Sequence, residues 1–126
     1  VHILGVTSCP DGLSGIYNLS IDAINYMEGD SAQRRVVIYT LTDVFYMPGS
    51  IKFWQTALNN SGYAFADIDR STLINAANVR LLDSDKKEAY FDYEVKKQSQ
   101  KCGIAWHKYK AHELFIKTFN PDVVVI

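Results

Sequence analysis

Val1-His2-Ile3-Leu4-Gly5-Val6-Thr7-Ser8-Cys9-Pro10-Asp11-Gly12-Leu13-Ser14-Gly15 opens the chain. The apolar, β-rich run that stops at Cys9-Pro10-Asp11-Gly12 reads as a strand, Val1 to Thr7, buried on both faces and ending in a turn. From Leu13 the apolar positions Leu13, Ile16, Tyr17, Leu19, Ile21, Ala23, Ile24 and Met27 recur near helical spacing, and Gly29 supplies a stop. This predicts a helix from Leu13 to Glu28, with the first strand at the centre of its sheet.

Outward from this unit, Val36 to Leu41 reads as a second strand entered from Arg34-Arg35, and Met47-Pro48-Gly49 as a turn. Ser50 ahead of Ile51, Phe53, Trp54, Ala57 and Leu58 marks a second helix that ends at Asn59 to Gly62. Thr72 to Leu82 reads as a third strand whose middle, Asn75-Ala76-Ala77-Asn78, has the composition of a turn or a short helix. Glu88 to Lys96 alternates as a strand, Ile104 to Phe119 is an amphipathic helix, and Asn120-Pro121-Asp122 introduces a last strand, Val123 to Ile126. Strands alternating with helices imply the α/β class: a three-layer, mostly parallel open sheet with helices on both faces. Such sheets bind ligands at the carboxyl ends of their strands, where the loop Cys9 to Gly15 is expected.

The 126 residues, 48% hydrophobic and 21% charged, suit a single α/β domain, 1–126, excised from a longer chain or trimmed close to its ordered limits. No apolar run approaches the roughly 18 residues of a membrane span, and no signal peptide is evident, so a cytoplasmic location is expected. Two cysteines, Cys9 and Cys102, make no disulfide framework and leave a free thiol at Cys9. The net charge of −1 argues against nucleic acid as the default partner. The charge is uneven: residues 1–85 carry five basic and nine acidic residues, whereas 86–117 carry eight lysines against Glu88, Asp92, Glu94 and Glu113. The segment Lys86 to Lys117 is expected on one face with its lysines exposed, either simply solvated or docking an acidic partner.

A thiol between a strand and a helix N-terminus sits among unpaired N–H groups near the positive end of a helix dipole, which favours a thiolate and would also hold a phosphate. Gly12 and Gly15 allow close backbone approach, Pro10 stiffens the turn, and Ser14 adds a hydroxyl donor or a helix cap. Asp11 either points into this cradle and repels anions or turns outward to cap the helix near Leu13; the outward orientation is expected. The same residues also read as a small buried hydrophobe followed by an ordinary turn.

The stretch Ile3 to Tyr17 resembles the phosphocysteine loop of the fructose-type IIB domains of the bacterial sugar phosphotransferase system. Val6, Thr7, Cys9, Pro10 and Gly12 match that pattern, Leu13 and Ser14 are mild replacements, and Asp11, Gly15 and Ile16 depart from it. The resemblance implies a phosphoryl carrier without metal or cofactor. Cys9 would take a phosphoryl group from a phosphohistidine-bearing domain and pass it to a sugar, while Pro10, Asp11, Gly12, Leu13, Ser14 and Gly15 would form the anion-binding loop.

Other readings stay open. A glycine-containing first loop with the closing Phe119-Asn-Pro-Asp-Val-Val-Val also resembles the N-terminal, Rossmann-like half of a glycosyltransferase, which would take a sugar nucleotide. Tyr93-Glu94-Val95-Lys96 with Asp83 or Asp92 resembles the Asp…Glu-x-Lys arrangement of metal-dependent nucleases. Ile74 to Asn78 resembles the Asn-Ala-Ala-Asn motif of macro domains, without the glycine-rich loop that should follow. His107 and His112, five apart on a predicted helix, point to different sides and indicate no zinc site.

Overall fold

The computed structural model describes residues 2–126. The first strand, β1 (Ile3–Val6), pairs antiparallel with β2 (Tyr17–Ser20) in a two-stranded ribbon, Ile3 facing Ser20 and Val6 facing Tyr17. It is a ribbon strand and not the centre of a parallel sheet; Val1, the predicted start of that strand, lies outside the described residues. The predicted helix Leu13 to Glu28 is absent. Gly12 and Gly15 take positive φ (79° and 82°), which ends any helix there, and Leu13 and Ile16 stand 86% and 81% exposed where a core-facing helix would bury them. Beyond Gly15 the apolar spacing belongs to β2, a 3-10 turn at Ile21–Ala23 and β3 (Tyr26–Asp30), which together bury Leu19, Ile21, Ile24 and Met27.

β3 is the middle of a five-stranded antiparallel sheet with β4 (Arg35–Tyr39), β5 (Val44–Pro48), β6 (Phe65–Asp67) and β7 (Thr72–Asn75), in the order β5-β4-β3-β7-β6. Alternation explains β4 and β5: Val36, Ile38, Phe45 and Met47 are buried, and the residues between them are partly open. β7 is buried at all four positions because both sheet faces are covered. On one face Met27, Leu73 and Phe65 join Val6, Leu19 and Leu58 in a core closed by the β1–β2 ribbon and by α1 (Ile51–Asn59). Paired backbone groups of Thr7 and Tyr46 fasten the ribbon to β5. The Ser50 hydroxyl caps α1 by accepting from the Phe53 N–H at 3.2 Å, so this helix forms where its cap predicts it. Gly29, expected to stop a helix, is instead a β3 residue against which α1 packs closely. A Cβ there would lie 2.7 Å from Ile51 Cγ1.

The other face carries Ile74 and Ala66 into a second core with Ile68, Leu82, Ala89, Phe91, Ile104, Tyr109 and Ile116. That core is closed by β8 (Leu81–Asp83), β9 (Glu88–Tyr90), β10 (Lys101–Gly103), α2 (Tyr109–Phe119) and β11 (Val124–Val125). These strands form a sheet ordered β10-β9-β8-β11, in which β11 runs parallel to β8 and the other pairs are antiparallel. Among the described residues the architecture is therefore mostly antiparallel β with two α-helices, and the expected three-layer parallel α/β sheet is overturned. Most connections are hairpins, and antiparallel neighbours need no helical crossover.

The Asn75-Ala-Ala-Asn78 segment is structural. Asn75, 2% exposed, donates to Ile24 O at 2.9 Å and accepts from the Ala77 N–H, while Asn78 donates to Asp22 O and Ile24 O. A short 3-10 turn separates β7 from β8 here, as the composition of the segment suggests, and the asparagines serve backbone carbonyls and not a nucleotide.

Candidate functional site

The loop Cys9 to Gly15 leads into β2, not into a helix, so no helix dipole acts on Cys9. Its N–H groups are taken up internally. Ser8 and Cys9 donate to Ser14 Oγ (3.0 and 3.3 Å), Ser14 N donates to Cys9 Sγ (3.0 Å), and Leu13 N donates to Asp11 Oδ1 (3.1 Å). Asp11 does cap Leu13, but it does not turn outward: the Cys9 thiol donates to its Oδ1 at 2.9 Å. That thiol, and then the Leu13 N–H, hold the Asp11 carboxyl below its usual range. Pro10 and Gly12 line a crevice of about 480 Å³ whose far wall is Gln33, Arg34 and Arg35.

The lysine-rich segment does not form one face. Lys86 and Lys87 occupy the β8–β9 turn and Lys108 follows β10, whereas Lys96 and Lys97 lie in the β9–β10 connection, which leaves the opposite end of β9. Lys101 is paired with Glu88 at 3.0 Å. Glu94 and Lys96 are exposed in that same connection, not on a strand, and among the described residues no three His, Cys, Asp or Glu side chains are grouped to hold a metal ion.

A different constellation appears at one end of the central sheet, where β3 and β5 end and β4 and β7 begin. Arg34, from the β3–β4 turn, and Arg35, the first residue of β4, meet Arg70 from the β6–β7 turn around a crevice of about 600 Å³, with Ser50 and Ile51 at the start of α1 on its wall. Arg34 adopts φ 54°, which turns the chain tightly into β4. Arg35 is held by Asp30 (Nε to Oδ2, 3.1 Å) and lies over the Tyr46 ring. The Ser71 carbonyl accepts from Gly29 N at 2.8 Å, which locks the β6–β7 turn to the end of β3. Asp69, beside Arg70, accepts from Ser71 N, so its carboxylate caps its own turn.

The second sheet extends this end. Ala105 N donates to Ile68 O and Ile104 N to Lys87 O, which brings the β10–α2 connection, with Trp106, His107 and Lys108, beside the Arg70 turn and the Lys86-Lys87 turn. Four loops far apart in sequence thus present Arg34, Arg35, Arg70, Lys86, Lys87 and Lys108 along one end of the molecule. Sequence reasoning missed the arginines because its charge count ran along the chain. Their signal is the position of each at a strand end, visible only once the strand order is known.

A model of the LytTr DNA-binding domain family matches residues 14–113. No curated protein matches the sequence. Among solved structures, the chain is similar to the LytTr DNA-binding domain of a Bacillus cereus protein described as a methyl-accepting/DNA response regulator. The TM-score is 0.68 at 8% identity, over 92% of this chain and 97% of that one, a likeness of fold. The family match overturns the resemblance to phosphotransferase IIB domains, and with it the phosphoryl-carrier function of Cys9, the phosphohistidine-bearing partner and the sugar substrate. It also overturns the glycosyltransferase and nuclease alternatives and the expectation that nucleic acid is not a partner. None of the helices is long and apolar enough to cross a membrane, among the described residues.

Proposed function

Because the chain belongs to the LytTr DNA-binding domain family, we propose that it binds double-stranded DNA through the loops gathered at the Arg34–Arg70 end. The observation that carries this placement is the crevice in which Arg34, Arg35 and Arg70 converge on the start of α1. Guanidinium groups suit phosphate because their planar fork donates in pairs, and loops on a rigid sheet hold several of them at fixed spacing. Lys108 and Lys86 would extend the phosphate contacts along the same edge. A net charge of −1 is no obstacle, since phosphate attraction is screened beyond about 8 Å at physiological salt and is set by the groups at the contact. On this reading the chain works in the compartment that holds the DNA, the cytoplasm in a cell without a nucleus.

The test is selection of bound duplexes from a randomised pool, followed by affinity measurement across a range of salt concentrations. Replacing Arg34 and Arg70 by Ala lowers affinity and reduces the slope of log K against log salt by about 0.9 for each phosphate that the variant no longer neutralises. A double variant that binds with the parent's affinity and salt slope rejects this end as the interface, and a parent that retains no duplex rejects DNA binding itself.

A further inference from the structure

Trp106 is an exposed aromatic ring that is nevertheless held in place. It is 69% exposed at the start of a 3-10 turn, Trp106–Lys108, that leads into α2. The Lys87 ammonium lies 4.9 Å from its ring centroid and 4.8 Å from that of Tyr109, and it donates to Ser84 O at 2.6 Å. Lys87 itself has φ 57°, and its carbonyl accepts from Ile104 N at 2.8 Å, so the lysine and the tryptophan turn are joined through the backbone as well. Ala105 N donates to Ile68 O, which holds the tryptophan turn against the segment that leads into Arg70.

We infer that Trp106 is a base-contacting anchor of this interface, an inference that rests on the DNA-binding reading. The ring is already ordered in the free protein, so little side-chain freedom is lost when it is covered. On the turns around it Arg70, Lys86, Lys87 and Lys108 are cationic; of the carboxylates there, Asp69 accepts from Ser71 N, Asp83 accepts from Asp85 N and Lys86 N, Glu88 is paired with Lys101, and Asp85 stands exposed beside Lys86. The partner is therefore anionic around the ring and apolar at it. Duplex DNA meets both conditions where phosphates flank the bases, whose thymine methyl groups and partly unstacked faces offer a flat indole more apolar surface than the narrow deoxyribose edge does. The cations take phosphates, and the indole takes the base.

An apolar contact displaces no counterions, which separates Trp106 from the basic residues around it. Trp106→Ala is expected to weaken binding of the selected duplexes about tenfold at every salt concentration, with the salt slope unchanged, whereas Lys108→Ala lowers the slope by about 0.9. Trp106→Phe keeps a ring and retains most of the affinity. In full-length protein labelled with 5-fluorotryptophan, the fluorine resonance of Trp106, assigned with Trp106→Phe, shifts on adding duplex and loses its solvent isotope effect as the ring leaves water. Duplex binding seen by anisotropy with an unmoved, solvent-exposed Trp106 resonance overturns the inference while leaving DNA binding intact. So does a Trp106→Ala variant that binds like the parent or changes only in salt slope. Absence of any duplex binding by the parent overturns the DNA-binding reading and this inference together.

Discussion

Gly29→Ala should destabilise the fold, although the position sits in a strand with ordinary backbone geometry. An added Cβ falls 2.7 Å from Ile51 Cγ1, 3.6 Å from Ile51 Cβ and 3.8 Å from the Ser71 carbonyl oxygen. Cγ1 can swing clear only by a change of χ1, which a β-branched residue in a helix resists, so the side chain must leave its favoured rotamer or the first turn of the helix must shift. Inserting a methyl group into a packed contact costs about 1–3 kcal/mol, and relief of glycine's chain entropy in a strand returns about 0.5–1 kcal/mol. The net loss is then about 1–2 kcal/mol. Ile51→Ala removes Cγ1 and makes room for the new methyl, so the double variant should lose less than the sum of the two single variants, with a coupling of about 1 kcal/mol. Urea unfolding of the four proteins, with equal m-values, measures this directly. Because Ile51 also lines the arginine crevice, Gly29→Ala should weaken duplex binding as well. A Gly29→Ala protein as stable as the parent, or strictly additive single variants, would refute the close approach of β3 and α1.

Asn75→Ala removes a donor to Ile24 O and an acceptor for Ala77 N at a position 2% exposed, and should cost about 1–3 kcal/mol in urea unfolding. An effect no larger than that of an exposed alanine substitution would deny the turn its role in spacing β7 from β8. His112 has a buried Nε2 without a hydrogen-bond partner, and burial lowers its pKa; Asp67 acts in the opposite sense, and Lys108 and His107 add to the lowering. The fold thus prefers the neutral ring. The stability His112 protects is complete above its unfolded pKa of about 6.5 and is lost as pH falls through the lower folded value. His112→Phe should flatten the decline in unfolding free energy between about pH 7 and pH 5, and an unchanged decline would assign it to other groups.

Local order was legible in the sequence. Ser50 ahead of an apolar helical face marks α1, the run Val36 to Leu41 entered from Arg34-Arg35 marks β4, which ends at Tyr39, the apolar stripe ending at Phe119 marks α2, and Asn75 to Asn78 interrupts two strands as its composition suggests. Each signal depends on residues within one or two turns of one another, where propensity and capping act. The segment Leu13 to Glu28 reads as a helix in sequence because its apolar positions satisfy a helical period nearly as well as they satisfy a strand, a 3-10 turn and a second strand. Only the packing of Leu19, Ile24 and Met27 beneath α1 and the ribbon, with Leu13 and Ile16 left in water, separates the two. Gly29 carried the same ambiguity, since a glycine that stops a helix and one that admits a neighbouring side chain look alike until the neighbour is known. Strand order, the antiparallel pairing and the convergence of Arg34, Arg35 and Arg70 were decided by tertiary structure alone. Pairing joins segments whose contact energy depends on partners dozens of residues away, and charge summed along a chain averages over ends of the molecule that folding places apart.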